Sequence, residues 1–327
     1  MNSRLVLAAA LSLAVATGCS RDGADAEGRV LGREGARAPA APRFDPEKPA
    51  AALAIDADEA AHRLGSFEWT AGAEWTVSRQ GSAESVRAVE RHHVVQAATG
   101  EFLAETGIDP GLGEGSETGR DVIWAGNMTY ARGKWAPWRE RPGDHGRDAR
   151  RYRGESFGLA GDLARLFGPR LALGNACETS LLGRAAIRYA LSLAADVAEA
   201  APAADARVFP QGGPDPDTKA RLALLDGAQP VSARGELIVD AQTGVPLRVS
   251  LDAAYGVKAD PRARIQVSLR AEVKALGAGV PSVTAPANAL PDERKPRGVA
   301  DALERAGLKK KDGDDKKKDE PGDDGEP

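Results

Sequence analysis

Few side chains in this sequence have the types and the spacing that metal binding requires. His92 and His93 are adjacent and lie in a segment with strand-like alternation. Their imidazoles therefore point to opposite faces of a sheet and cannot bind one ion together. The remaining histidines, His62 and His145, are distant in the sequence. We predict neither a metal site nor a bound cofactor.

Two further segments have some features of reactive or phosphate-binding motifs. Cys177 has no neighbouring histidine, which favours a small buried apolar side chain over a catalytic thiol. The glycines of 111–115 are not followed by the Lys-Ser/Thr pair and the helix of a phosphate-binding loop, so a flexible loop between strands is favoured. No Gly-x-Ser-x-Gly, His-Glu-x-x-His or paired-carboxylate motif is present. We therefore predict no catalytic residues and no enzymatic activity.

Cys19 carries the most specific chemical signal in the sequence. Arg4 precedes a short apolar run, Leu5–Ala16, and small residues fill the positions before the cysteine. This order is typical of a secretory leader, and the run is too short to span a bilayer as a mature helix. A cysteine directly after Ala16-Thr17-Gly18 resembles the lipobox of bacterial lipoproteins, although the first lipobox position is usually Leu. The alternative is an ordinary signal peptide with an incidental cysteine.

The lipobox resemblance implies a lipid anchor on Cys19 and a location in the cell envelope. Ser20 in the next position points, as in such lipoproteins, to the periplasmic face of the outer membrane. Cys177 would then have no disulfide partner, so the exported domain would depend on its own core. We divide the chain into a signal peptide (1–18), the lipidated cysteine with a disordered tether (19–52), one folded domain (53–308) and a disordered charged tail (309–327).

The overall charge does not favour a polyanionic partner. The chain has 44 Lys and Arg residues against 48 Asp and Glu residues, a net charge of −4. We therefore predict no nucleic-acid binding. The segment Lys134–Arg153 is locally basic and partly aromatic, and in the envelope it could meet phosphate headgroups or lipopolysaccharide. Its acidic residues dilute this charge, so a solvated surface loop is favoured.

The foldable part is dominated by segments with a period of two, which is typical of half-buried antiparallel strands. In the predicted strand Ala263–Leu276 the odd-numbered residues are apolar, and the even-numbered ones are polar or charged as far as Lys274. The same pattern predicts strands over Phe67–Arg79, Val86–Ala97, Glu101–Thr106, Arg120–Ala125, Met128–Arg132, Gly183–Leu193, Gly235–Asp240 and Pro246–Val257. The connections are mostly of hairpin length, which favours an antiparallel meander.

Helical patterns are few and short. Asp56 or Asp58 can cap a helix that Gly65 ends, and apolar residues recur at helical spacing over Phe157–Phe167. Two more short helices are predicted over Asp217–Asp226 and Val299–Leu308. The fold class is therefore α+β, with about nine or more strands in one sheet and a few helices.

The order of these elements resembles the LolA/LppX superfamily of lipoprotein carriers over residues 53–290. The resemblance rests on the lipobox and tether, on a short helix before a long strand with Trp69 and Trp75 on one face, and on the segments Asp121–Tyr130 and Gly235–Val249. It implies a strongly curved half-barrel with helices on its concave face, where members of the superfamily shelter acyl chains. No catalytic residues come with it.

The apolar faces of the long strands must be covered, because exposing apolar area costs about 25 cal/mol per Å². Either the sheet fills its own interior, or it leaves a cavity for an apolar ligand; the sequence leaves both open. We expect a non-enzymatic envelope lipoprotein that binds lipid or acyl chains. The alternative is a protein-interaction or sensor module with a filled core. The residues predicted to face the ligand or the core are Phe67, Trp69, Trp75, Trp124, Tyr189, Leu247, Val249, Leu251, Ile265, Val267 and Leu269.

Overall fold

The computed structural model describes residues 44–194, 228–258 and 260–292. The predicted signal peptide, Cys19, most of the tether and the charged tail lie outside the described residues. The same holds for the helices predicted over 217–226 and 299–308. Within the described part, no helix has the length and apolar character needed to cross a membrane.

The described chain forms eleven strands and three α-helices. The helices are α1 (Ala57–Leu64), α2 (Arg147–Phe157) and α3 (Leu159–Arg165), and a short 3-10 helix, Pro49–Ala54, precedes them. The strands are β1 (Phe67–Arg79), β2 (Ser85–Gln96), β3 (Phe102–Asp109), β4 (Thr118–Ala125), β5 (Met128–Gly133), β6 (Arg139–Glu140), β7 (Leu171–Leu181), β8 (Arg184–Leu193), β9 (Ala228–Asp240), β10 (Pro246–Val257) and β11 (Asp260–Leu276).

All eleven strands belong to one open sheet in the order β6-β5-β4-β3-β2-β1-β11-β10-β9-β8-β7. Every ladder between neighbours is antiparallel. The sheet thus consists of two meanders that meet where β1 pairs with β11. This confirms the predicted fold class: α+β, with a mostly antiparallel half-barrel sheet and a few short helices.

The inner face of the sheet is covered by the helices. Helix α2 contacts β1 to β5, and the 3-10 helix packs on α3. The side chain of Asp56 caps α1 by accepting a hydrogen bond from the Glu59 amide at 2.8 Å, and Gly65 ends the helix with a φ of 79°, as predicted. The outer face of β2 and β4 is also covered in part, because Val283 of the segment after β11 packs on Val95 and Ile123.

The strand β7 has no counterpart in the predicted elements. Its alternation is interrupted by Asn175, which has a φ of 52°, and the register with β8 shifts between Gly174 and Cys177. Most of the strand is exposed, since it forms one edge of the sheet. The prediction that Cys177 is buried is therefore wrong: it is half-buried, and the Arg188 Nε donates a hydrogen bond to its Sγ at 3.2 Å.

The prediction of a solvated loop over 134–153 is wrong for its second half. Arg147 begins α2, and the side chains of Tyr152 and Arg153 are buried. The charge of Arg153 is tolerated inside because the carboxylate of Asp58 and the amide oxygen of Gln96 accept hydrogen bonds from its guanidinium. The helix predicted over 157–167 is also divided, since α2 ends at Phe157 and α3 begins at Leu159.

Gly235 allows β9 and β10 to approach closely, and its replacement tests this packing. A Cβ at Gly235 would lie 1.9 Å from the carbonyl oxygen of Ser250, whereas a Cβ at Gly133 of β5 would meet nothing within 4 Å. We expect Gly235→Ala to lower the free energy of unfolding by roughly 1–3 kcal/mol, as overpacking does. Gly133→Ala is the matched control and should leave it nearly unchanged. Equal stabilities of the two variants in chemical denaturation would contradict this packing.

Candidate functional site

A cavity of about 700 Å³ lies between the helices and the β7 edge of the sheet. Its walls come from residues 50–58, from α2 and α3, and from the first residues of β7. The elements that form it are therefore distant in the sequence. A cavity of this volume lies within the range that small-molecule sites usually have, roughly 300–1,000 Å³.

The apolar part of the wall combines large side chains with very small ones. Leu53, Ile55, Leu171 and Leu173 supply the large side chains. The small residues come from the first helical segments, Ala50, Ala54 and Ala57, and from α2, α3 and the residues that follow each of them, Gly154, Gly158, Gly161, Ala164 and Gly168.

Two of these glycines have different roles. A Cβ at Gly161 would lie 2.3 Å from the Leu53 carbonyl oxygen, so this glycine allows the 3-10 helix to pack against α3. A Cβ at Gly154 would meet nothing within 4 Å. The missing side chain at Gly154 therefore contributes directly to the empty space.

Charged residues complete the lining of the cavity. The cations are Arg147, Arg150, Arg151 and Arg165, and the carboxylates are Asp56, Asp58 and Glu155. Arg147 and Arg150 are exposed, whereas Glu155 is buried. The site is thus an apolar cavity with arginines at its solvent-exposed side.

None of the eleven residues predicted to face the ligand lines this cavity. Ten of them are buried in the main core, where the ring centroid of Trp69 lies 4.9 Å from that of Phe157. Trp124 is half-buried and packs against a second cluster that includes Tyr152 of α2. At these positions the interior is filled by protein, and their role as ligand contacts stays a prediction. The sequence feature that indicates the cavity is a series of glycines at helical spacing. The series begins in α2, close to the arginines of that helix.

A second cluster of polar side chains is buried where α2 meets β2 and β3. His92 Nε2 lies 2.7 Å from Glu90 Oε1, and His92 Nδ1 lies 3.1 Å from Ser156 Oγ. Thr106 Oγ1 is 3.2 Å from the same Nδ1. The cluster therefore links the helix to both strands through one imidazole.

A hydroxyl, an imidazole and a carboxylate in contact are also the groups that serine hydrolases use for acyl transfer. Ser156 is only 1% exposed, and His92 is 5% exposed. Neither residue lines the cavity. The hydroxyl and the imidazole are therefore enclosed by protein, and the geometry of the cluster accounts for the position of α2.

Arg153 provides the other polar link of α2. Its guanidinium lies 4.2 Å from the Phe102 ring centroid and pairs with Asp58 at the start of α1. Burial lowers the pKa of Arg153, and the nearby Asp58 carboxylate opposes this shift. The pair joins α1 to α2 beside the cavity, so it fixes the distance between two of its walls.

His93 points to the opposite face from His92, as predicted. Its Nδ1 lies 2.8 Å from Glu105 Oε2, and its Nε2 lies 3.0 Å from Glu68 Oε1. The hydrogen bond with Glu105 raises the pKa of His93, and the same contact lowers the pKa of Glu105. Within the described residues, no group of three or more His, Cys, Asp and Glu side chains is placed to hold a metal ion.

No family model and no curated protein matches this chain. Among solved structures, the chain is similar to a DUF1329 family protein from Desulfovibrio piger, with 12% sequence identity and a TM-score of 0.21. The match covers 71% of this chain and 95% of that chain. What the protein binds is therefore inferred from its own cavity.

The His93 contacts predict a pH-dependent stability. The stabilisation that the raised pKa of His93 provides is complete below pH 6.5, the ordinary pKa of a histidine. It is lost as the pH rises through the higher pKa that His93 has in the folded state. The stabilisation from Glu105 is present above its ordinary value of 4.5 and is lost as the pH falls through its lowered value. His93→Gln should therefore lower the free energy of unfolding most between pH 4.5 and pH 6.5, on the order of 1 kcal/mol, and less at both more acidic and more alkaline pH.

Denaturant unfolding of both proteins between acidic and alkaline pH checks this expectation. His62→Gln replaces an exposed imidazole of α1 and serves as the control. A His93→Gln deficit that is constant over the whole range, or that is largest at either end of it, would contradict the assignment.

Proposed function

We propose that this protein is a non-enzymatic lipoprotein of the cell envelope that binds lipid or acyl chains, with a role in lipid or lipoprotein trafficking. The observation that carries the proposal is the cavity of about 700 Å³ between the helices and β7, with its apolar and small lining residues. An apolar wall left in contact with water is unfavourable, and each methylene group that enters such a site gains about 0.8 kcal/mol. An acyl chain is the ligand that this wall suits best.

The sequence supports the proposed location. The lipobox-like residues before Cys19 would place a lipid anchor at the start of the mature chain, and Ser20 favours the periplasmic face of the outer membrane. The part of the predicted tether that precedes the 3-10 helix Pro49–Ala54 would connect the anchor to the domain. In this proposal the resemblance to LolA/LppX-like carriers extends from the fold to the ligand class.

The packed inner face of the sheet is the specific observation that favours the alternative function. Phe67, Trp69, Leu247 and Leu269 are buried against neighbouring protein atoms. A module with such a core could bind an envelope protein and no lipid. The two functions differ in one measurable property, which is whether the cavity beside α2 holds an apolar ligand.

Replacement of Gly154 tests this property directly. Gly154→Leu places a side chain in open space inside the cavity, so we expect the lipid extracted per mole of purified protein to fall close to zero. Gly154→Ala adds one methyl group; it should retain the lipid and raise the free energy of unfolding by roughly 0.5–1 kcal/mol. Solvent extraction and mass spectrometry measure the lipid, and chemical denaturation measures the stability.

The outcomes separate the two functions. Lipid that is present in the native chain and in Gly154→Ala but absent from Gly154→Leu supports the proposal. A native chain that carries no lipid after purification, and that takes up none from added fatty acids, would support the interaction module instead.

A further inference from the structure

Three of the arginines that line the cavity lie on one face of α2. Arg147, Arg150 and Arg151 are spaced i, i+3 and i+4, which places them side by side on a helix. Like charges at this spacing repel one another. Asp148 of the same helix lies 3.9 Å from Arg147 and 3.5 Å from Arg151, so it offsets part of this repulsion, and a further anion beside Arg150 would offset the rest.

Arg150 is held in place although its charge is not neutralised. Its Nη2 donates a hydrogen bond to the His145 carbonyl at 3.1 Å, and its guanidinium lies 5.9 Å from the Trp124 ring centroid. A Cβ at Gly146 would come within 2.7 Å of its Nη1, so the backbone is closely packed there. Among the described residues, no carboxylate forms an ion pair with Arg150.

The carboxylates that share the cavity wall interact with other groups. Asp56 caps α1, and Asp58 pairs with Arg153. Glu155 is 4% exposed and lies 3.9 Å from Arg151. The exposed Arg147 reaches a carboxylate only at 3.9 Å, in Asp148. The exposed side of the cavity therefore retains positive charge.

We propose that the ligand is an anionic amphiphile, whose carboxylate or phosphate group binds Arg150 and Arg147 while its acyl chain lies among Leu53, Leu171 and Leu173. A guanidinium group suits both anions, because each accepts paired hydrogen bonds from its planar donors. This inference rests on the proposed function and adds the chemical class of the ligand. It assigns a binding role to Arg147 and Arg150, which lie in the segment 134–153, where the sequence favours a surface loop.

A set of ligands with one chain and different end groups tests the inference. We would titrate decanoate, decyl phosphate and decan-1-ol into the purified full chain carrying Cys19→Ser, which prevents lipid attachment. At least one of the two anions should bind roughly tenfold tighter than the alcohol, the factor that one charge-assisted hydrogen bond provides. The comparison of decanoate with decyl phosphate distinguishes a fatty acid from a phospholipid as the source of the anion.

Two variants then locate the anion. Arg150→Gln should abolish the preference for the anions and leave the affinity for decan-1-ol unchanged. Arg262 is an exposed residue of β11 that does not line the cavity, so Arg262→Gln should preserve the preference. Arg147→Gln provides a second test if Arg150→Gln does not fold, which circular dichroism would detect.

The possible results have distinct meanings. Equal affinity for the alcohol and both anions would overturn the inference while the proposed function stands. Anion preference that survives both Arg150→Gln and Arg147→Gln would overturn the assigned residues. No binding of any of the three ligands would contradict the proposed function, and the inference with it.

Discussion

Strands β1 and β11 stand near opposite ends of the folded chain, yet they pair antiparallel from Phe67 with Leu276 to Arg79 with Ala263. Pairing β1 with β11 closes a loop that contains most of the domain. The entropic cost of closing this loop must be offset by the strand pairing and by the contacts of the side chains that the pairing brings together. On the inner face it places Trp69 beside Val273 and Trp75 beside Val267. Without it the two meanders would be separate sheets, each with an apolar face in water, and the helices would have no common surface to cover.

Helix α2 depends on that surface and in turn forms the cavity. One side of the helix carries Ser156 and Arg153, whose partners on β2 and α1 fix its position. Another side carries Gly154 and the arginines that line the cavity. The buried polar contacts therefore fix the position of α2 where it forms one wall of the cavity. Leu53 approaches as closely as it does only because residue 161 is a glycine.

The sequence predicted the elements whose stabilisation is local or strictly periodic. The bounds of β1 and β10 agree with the prediction, because buried residues recur at every second position along most of each strand. The sequence does not predict the edge strand β7, because a left-handed residue, Asn175, interrupts its period. It does not predict helix α2 either, because the charged residues of this helix suggest a surface. The partner that allows Arg153 to be buried is Asp58, which is far away in the sequence. The cavity could not be predicted for a related reason: it is left open by residues without large side chains, such as Gly154, and only the packing of distant segments shows that no other described residue fills the space.

The central claim is that acyl chains bind in the cavity beside α2 and not on the filled inner face of the sheet. Photolabelling with a fatty acid that carries a diazirine in its chain tests this most directly, with the labelled peptides identified by mass spectrometry. The account predicts label on peptides that contain residues 50–58, 147–168 and 171–173, reduced by excess unlabelled fatty acid. Label confined to the inner-face residues of β10 and β11, such as Leu251 and Val267, or spread evenly over the surface, would contradict it.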